Sequence, residues 1–382
     1  MKDNRLLIYP ILCGFFVMGF VDLVGISTSY FKNDFSLGDS LANILPMMVF
    51  VWFAVFSIPT GVLMGRIGRR NTVLIGMGLT LLAMILPLVA YGFVTMLVAF
   101  AMLGIGNTVL QVALNPMASA VVSRERISSV LTWGQFIKSL ASLAGPIVAG
   151  VAANHFGNWK LVFVAFGLVT LLTSVWIRVT VPSSDSGENN PGSFRSAFAL
   201  FSDRLILIYF FAILCVVGID VGLNTVIPQL IMERTGAPLH EAGLGTSLYF
   251  AARMAGTFVG AILLVRCKAR LFLKVSFLLA MAAFVILMAA GSLYGICCGI
   301  VLCGLACANI FSVVFALALE HKPTASNEVS SLMIIGVAGG ALVPPVMGFL
   351  SDSISLTASL AVLLLCMLVI GYASIARGRR SV

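Results

Sequence analysis

Long apolar segments recur along the whole 382-residue chain and constrain its fold more than any other feature. About 20 apolar residues in a helix cross a hydrocarbon core of about 30 Å. We identify twelve such segments, at residues 6–30, 41–65, 72–92, 94–122, 128–153, 158–180, 204–232, 241–265, 270–290, 292–319, 327–350 and 355–376. A mean hydropathy of +1.10 and 10% charged residues exclude an ordinary soluble domain, which carries about 25%. The pattern predicts an all-α integral membrane protein with 12 transmembrane helices.

Lysine and arginine set the expected orientation. Of the 23 basic residues, 18 fall at one end of the segments, three at the other, and Lys138 and Arg253 lie within segments. Cytoplasmic loops carry the excess of basic residues, so both termini are predicted to be cytoplasmic. The first segment is too long for a signal peptide and lacks its cleavage site, and we interpret it as retained. The net charge of +9 is explained by the excess of Lys and Arg on the cytoplasmic side, where they face anionic lipid headgroups. It gives no reason to expect a nucleic-acid partner.

Two acidic residues occupy similar apolar surroundings about 200 positions apart. Asp22 lies within 19–25 and Asp220 within 218–223. A carboxylate inside a membrane segment costs roughly 3 kcal/mol or more and is usually functional. The repetition of this feature indicates a duplicated half, with the working site where the copies meet.

A polar, Ser- and Asn-rich stretch divides the chain. We predict an N-terminal six-helix half at 1–181, a cytoplasmic linker at 182–203 and a C-terminal six-helix half at 204–382. Further matches keep the same register: Gly61 with Gly260, Gly104 with Gly304, and Ser128–Ser129 with Ser330–Ser331. Two parallel halves related by an axis along the membrane normal are therefore expected.

The loop after the second segment, 61–70, reads Gly-Val-Leu-Met-Gly-Arg-Ile-Gly-Arg-Arg. It resembles the signature Gly-x-Leu-x-Asp-Arg-x-Gly-Arg-Arg/Lys of the major facilitator superfamily, except that Gly65 replaces the usual Asp. The resemblance implies the major facilitator fold with two pseudo-symmetric six-helix halves. It also implies a conformational-switch loop that comprises Gly61, Arg66, Gly68, Arg69 and Arg70.

Three shorter stretches, 111–116, 131–139 and 252–257, resemble the fucose–galactose–glucose:proton symporter branch of that superfamily. The resemblance implies that Asp22 occupies an acidic position used in proton coupling, and Asp220 a position where relatives carry Glu or Gln. We therefore predict Asp22 and Asp220 as proton-coupling residues. Two positions depart from the branch: Gln111 replaces an acid and Lys138 replaces an Asn.

Polar side chains within the segments are the candidates for binding substrate. They comprise Gln111, Asn115, Gln135, Lys138, Asn224, Tyr249, Arg253 and Asn309. Amides donate and accept hydrogen bonds, which suits a polyhydroxylated ligand, and aromatic faces suit a sugar ring. Two alternatives remain open: Asp22–Lys138 and Asp220–Arg253 could be permanent ion pairs, and Asn115–Pro116 could be only a helix kink.

These features favour proton-coupled uptake of a monosaccharide by rocker-switch alternating access. One alternative is transport of an anionic sugar derivative or organic acid through Lys138 and Arg253. Another is a proton-antiport exporter of drugs or metabolites, since residues 144–150 partly resemble an antiporter motif. An enzyme or a sensor is disfavoured, because the sequence shows neither a nucleophile–base grouping nor a soluble output domain.

The expected partners follow from this function. A small-molecule substrate and the lipid bilayer are predicted, the fold suggests a monomer, and the location implied is a bacterial inner membrane. The coupling ion is expected to be a proton, although sodium remains possible. No cofactor or metal is predicted, because the eight cysteines and three histidines lack the spacing of a structural metal site.

Overall fold

The structure, a computed structural model, describes residues 7–36, 44–182, 194–237, 242 and 244–376. Every regular element in these ranges is a helix. Eleven helical stretches are long and apolar enough to cross a membrane, which confirms the predicted all-α membrane class. Two parts of the sequence predictions fall outside the described residues. These are the linker residues 183–193 and five basic residues that were assigned to the cytoplasmic side: Lys2, Arg5, Arg377, Arg379 and Arg380.

The described part of the N-terminal half contains seven α-helices. They are α1 (Ile8–Met18), α2 (Leu23–Asp34), α3 (Ile44–Ile67), α4 (Arg69–Val89), α5 (Phe93–Ala120), α6 (Ile127–Phe156) and α7 (Leu161–Thr180). A 3-10 turn, Gly19–Asp22, joins α1 to α2. Gly68 separates α3 from α4 with a φ of 82°, a backbone conformation that glycine adopts without steric cost.

The residues described after the linker form a short helix, α8, and eight longer ones. They are α8 (Phe194–Ala199), α9 (Arg204–Thr235), α10 (Leu244–Leu263), α11 (Ala269–Ala289), α12 (Leu293–Cys307), α13 (Ile310–His321), α14 (Ser326–Ile335), α15 (Gly339–Ser353) and α16 (Leu356–Ile375). Asp203 caps the start of α9 by accepting from the Leu205 and Ile206 amides. Burial raises the pKa of the Asp203 carboxyl. The hydrogen bond and the charge of His321 are among the contributions that lower it, and the net pKa lies below its usual value.

Three predicted segments are divided in the structure. The first breaks at Gly19–Asp22, the tenth between α12 and α13, and the eleventh at Gly336–Ala338. Hydropathy does not detect such breaks, because the helix is interrupted without any loss of apolar character. Glycine lies at two of them and allows a neighbouring helix to pack closely: a side chain at Gly19 would meet the Lys138 carbonyl, and one at Gly339 would meet the Leu214 backbone.

The described chain forms two compact units. Unit 1 comprises Met1–Arg124, Gly134–Phe198 and Thr324–Ile335, and unit 2 comprises Glu125–Trp133, Ala199–Pro323 and Gly336–Val382. Each unit therefore includes a short piece of the other predicted half. The division of the chain at a linker, into 1–181 and 204–382, stays a prediction.

Serine side chains connect these short pieces to the rest of each unit. In unit 1, Ser330 Oγ donates to the Val112 carbonyl at 2.7 Å, and Ser331 packs against Gly61. In unit 2, Ser129 Oγ donates to the Ala261 carbonyl at 2.8 Å. Positions that match in the sequence register thus make corresponding contacts with the ends of α3 and α10.

Gly104 and Gly304, which match in the sequence register, both lie at close helix contacts. A Cβ at Gly104 would lie 2.9 Å from Val49 Cα, and one at Gly304 would lie 2.8 Å from the Tyr249 carbonyl oxygen. Gly78, by contrast, has nothing within 4 Å of an added Cβ.

We expect Gly104→Ala to destabilise the protein by about 1–3 kcal/mol, because α3 and α5 must separate. Gly78→Ala should be neutral or stabilising by up to about 1 kcal/mol, since alanine favours the helix and meets no neighbour. Unfolding midpoints of the two purified variants in mild detergent test this difference. Equal shifts would contradict it.

Candidate functional site

Asp22 lies at the end of the 3-10 turn that interrupts the first membrane segment. Its side chain is exposed, and Ser142 of α6 donates a hydrogen bond to its Oδ2. The same hydroxyl lies 3.1 Å from the Lys138 carbonyl oxygen, so it can donate to either acceptor. Among the described residues, no cation lies within 4 Å of Asp22 in an ion pair. The permanent Asp22–Lys138 pair considered from sequence is therefore absent from this structure.

The face of α6 that includes Ser142 carries further polar groups. Gln135, Lys138 and Ser142 follow each other at spacings of three and four residues, which places them on one side of the helix. Gln135 and Lys138 are half-buried. Within the part of the chain that the structure describes, Lys138 makes no ion pair within 4 Å. An amide, an ammonium group and a hydroxyl therefore share the helix face that contacts Asp22.

A ladder of buried amides runs along α5. Gln111 Nε2 donates to Asn107 Oδ1 at 2.7 Å, and Asn115 Nδ2 donates to the Gln111 carbonyl at 2.7 Å. Asn107 Nδ2 donates to the Met18 carbonyl at 2.5 Å. Met18 is the last residue of α1, so Asn107 satisfies the carbonyl next to the helix break. The ladder links the Gln111 side chain to the turn that carries Asp22.

Sequence reasoning missed Asn107. The available signal was its position four residues before Gln111, which places both amides on one face of α5. Nothing in the local sequence shows that its partner is a carbonyl 89 residues earlier.

Asn107→Leu should destabilise the protein by about 2 kcal/mol or more, because the Met18 carbonyl and the Gln111 amide would lose their buried partner. Thr108→Val is the matched control, since the buried Thr108 hydroxyl donates only within its own helix, to the Gly104 carbonyl at 2.8 Å. Thermal unfolding of the purified variants compares them. A smaller effect for Asn107→Leu than for Thr108→Val would show that the ladder is dispensable.

In unit 2, Asp220 of α9 is held through both carboxylate oxygens. Arg253 Nη2 lies 2.8 Å from Oδ2, and the Tyr249 hydroxyl donates to Oδ1 at 2.5 Å. Tyr249 and Arg253 lie four residues apart on α10, so they project from the same helix face. The side-chain exposures are 10% for Asp220 and 27% for Arg253, and Tyr249 is fully buried. The structure thus contains the Asp220–Arg253 pair that the sequence left open.

Asn224 and Asn309, the other two residues of unit 2 that were predicted to bind substrate, each have a buried amide oxygen. Asn309 is the N-cap residue that precedes α13, and its Nδ2 donates to the Gly256 carbonyl of α10 at 2.8 Å. A Cβ at Gly260 would collide with the Asn309 amide, so that glycine leaves the room that the amide occupies. Asn309 Oδ1 and Asn224 Oδ1 are buried acceptors without a hydrogen-bond partner in the described chain.

The signature loop makes specific contacts within unit 1. Arg69 donates to Ser326 Oγ at 2.8 Å and to Asn327 Oδ1 at 3.2 Å. Arg70 donates to the Val181 carbonyl at the end of α7 at 3.1 Å, as expected for an arginine that caps a neighbouring helix. Arg66 is exposed. A role of this loop in conformational switching stays a prediction.

Comparison with known proteins places the chain among membrane transporters. It is 24% identical to a glucose/galactose transporter of Brucella abortus biovar 1 (strain 9-941) over 373 residues, which cover 92% of this chain and 89% of the relative. It is 22% identical to the L-fucose-proton symporter of Escherichia coli (strain K12) over 387 residues, covering 90% and 87% of the two chains.

A solved structure confirms the fold. The crystal structure of the transporter FucP in the outward conformation matches with a TM-score of 0.87 and 19% identity, covering 98% of this chain and 99% of FucP. The family model of the Major Facilitator Superfamily matches residues 11–224 and 209–380. The chain therefore belongs to the Major Facilitator Superfamily.

Proposed function

We propose that the protein takes up a neutral hexose together with a proton, and that Asp22 carries the proton. One observation carries the proposal. The exposed carboxylate of Asp22, at a helix break, accepts a hydrogen bond from the Ser142 hydroxyl and forms no ion pair with a described cation. The names of the full-length relatives, a glucose/galactose transporter and an L-fucose-proton symporter, support the same function.

The two acids differ in their capacity to exchange a proton. Both oxygens of Asp220 are occupied by Arg253 and Tyr249. Protonation would leave the guanidinium charge without its partner in a largely buried place, which is costly. Protonation of Asp22 would leave no described cation without its partner, and protons from solvent can reach its exposed side chain. We therefore assign proton transfer to Asp22 and a fixed structural pairing to Asp220, instead of equal coupling roles.

Sugar recognition in unit 1 is assigned to the α6 face. The Gln135 amide can donate to one sugar hydroxyl and accept from another, and the Lys138 ammonium group can donate to a third. Both side chains are half-buried, so their polar groups are not sealed in the core. Gln111, which is buried and bonded to Asn107, is placed to support the helix break behind them.

Proton coupling supplies enough energy for accumulation. One charge that moves inward through a potential of 100 mV contributes about 2.3 kcal/mol. That free energy corresponds to roughly 50-fold accumulation of a neutral solute. Alternating access by the rocker-switch motion is the cycle that we propose for this coupling.

An anionic sugar derivative is the second candidate, and the state of Lys138 favours it. Its ammonium group makes no ion pair within 4 Å among the described residues, so it could bind a carboxylate. Arg253, the other cation considered, is already bound to Asp220 and is less suited to that task.

Counterflow in proteoliposomes distinguishes the two candidates. Vesicles loaded with an unlabelled solute are tested for uptake of labelled hexoses and hexuronates, with the native protein and with Lys138→Gln. Exchange of a neutral hexose that persists in Lys138→Gln, with weakened affinity, supports the proposal. Exchange confined to a hexuronate and abolished by Lys138→Gln would replace it with the second candidate.

A further inference from the structure

A basic cavity lies in unit 2 where α11 begins and α16 ends. Its volume is about 210 Å³, and three cations line it: Lys268, Arg270 and Lys274. Leu271, Ser374 and Ile375 complete its walls. The proposed transport function uses none of these residues.

The cavity continues into an apolar groove between α11 and α16. The groove has a volume of about 460 Å³ and shares Lys274, Ser374 and Ile375 with the cavity. Its other walls are formed by Phe277, Leu278, Leu368, Gly371 and Tyr372. Leu278 is 65% exposed and Leu368 50% exposed, so they face outward from the helix pair.

No carboxylate in the lining of the basic cavity balances its positive charges. Among the described residues that form this lining, three are cations and none is acidic. Arg270 is held in place because it donates to the Ala376 carbonyl and, at 3.2 Å, to the Tyr209 hydroxyl. Over the described ranges, neither Lys268 nor Lys274 forms an ion pair within 4 Å. In a chain with only 10% charged residues, this is a concentrated positive site.

We propose that the cavity and groove bind one anionic glycerophospholipid. The phosphate lies against Lys268, Arg270 and Lys274, and an acyl chain follows the groove past Leu278 and Leu368. A site that is cationic at one end and apolar along its length matches an amphipathic anion, whereas free phosphate would use the cavity alone. The distribution of Lys and Arg predicts that this end is cytoplasmic, and basic pockets between helices on that side favour anionic headgroups.

Lipid binding to the purified full chain tests the proposal. Dioleoyl phosphatidylglycerol, dioleoyl phosphatidylcholine and inorganic phosphate are each titrated in neutral detergent, with native mass spectrometry and the unfolding midpoint as readouts. We expect phosphatidylglycerol to bind and to raise the midpoint, and the other two to have no effect.

Three variants localise the effect. Lys274→Gln should weaken phosphatidylglycerol binding about fivefold, the expectation for one interfacial charge. Leu278→Trp should weaken it by filling the groove. Arg266→Gln, an exposed cation near the same end that lines neither space, should bind as the native chain does. Lys274 and Leu278 are both exposed, so the variants should fold.

Two results would overturn the proposal. Equal weakening by Lys274→Gln and Arg266→Gln would show attraction by overall charge without a defined site. Stabilisation by inorganic phosphate equal to that by phosphatidylglycerol would show that the cavity binds a free anion instead of a lipid.

Discussion

Asp22→Asn is expected to abolish accumulation of the sugar while exchange of sugar across the membrane continues. Asparagine keeps the shape and can still accept the hydrogen bond from Ser142, but it cannot bind and release a proton. Uptake should therefore fall from roughly 50-fold accumulation at 100 mV to equilibration, with a ratio of about one. Labelled-sugar uptake into energised proteoliposomes and counterflow in unenergised ones measure the two activities separately.

Asp34→Asn is the matched control for this experiment. Asp34, the last residue of α2, is also an exposed carboxylate, but its Oδ2 accepts hydrogen bonds from Tyr91 at 2.5 Å and Trp159 at 3.0 Å. Asparagine can still accept from these donors, so accumulation should persist. Loss of accumulation in both variants would mean that any lost carboxylate disturbs coupling, and full accumulation by Asp22→Asn would assign the proton elsewhere.

Arg253→Gln is expected to destabilise the protein by about 3 kcal/mol. The substitution leaves Asp220 ionised in a largely buried place, and breaking a buried pair typically costs about 3–5 kcal/mol. We take the lower bound because Arg253 is 27% exposed. The double variant Asp220→Asn with Arg253→Gln removes both charges and should regain most of the lost stability. Unfolding midpoints in detergent, converted through a denaturant series, measure the differences.

The same pair of variants separates a structural role of Asp220 from a coupling role. If Asp220 serves only to pair with Arg253, the double variant should still accumulate sugar in energised proteoliposomes. A double variant that is stable and exchanges sugar but no longer accumulates it would show that Asp220 also transfers protons.

The membrane class and the fold were predictable because they depend on properties that are local in sequence. Each span requires only about 20 apolar residues, and the loop 61–70 carries its signature in ten consecutive positions. Gly104 and Gly304 were likewise predictable as contact points, because close helix packing in membranes requires small residues.

The different environments of the two acids were not predictable from their sequence context. Asp22 and Asp220 lie in similar apolar runs, yet Asp22 is exposed at the end of a 3-10 turn whose other residues are buried, and Asp220 is buried against α10. The difference arises from residues distant in sequence. Ser142 lies 120 positions after Asp22, and Arg253 supplies a cation from the next helix. Pattern reasoning could propose such pairs but had no means to choose between them.

The partners of the signature loop were also not predictable, because they are distant from it in sequence. The sequence identified Arg69 as part of the loop, but its partners Ser326 and Asn327 lie more than 250 residues away. Both partners belong to α14, which lies in unit 1.

The measurement that tests the central claim most directly is the pH change caused by the sugar itself. Addition of a neutral hexose to unenergised proteoliposomes should make the external medium alkaline with the native protein and leave it unchanged with Asp22→Asn. The absence of any sugar-dependent pH change with the native protein, in vesicles that show hexose counterflow, would contradict proton symport. The same pH change in Asp22→Asn would contradict the assignment of the proton to Asp22.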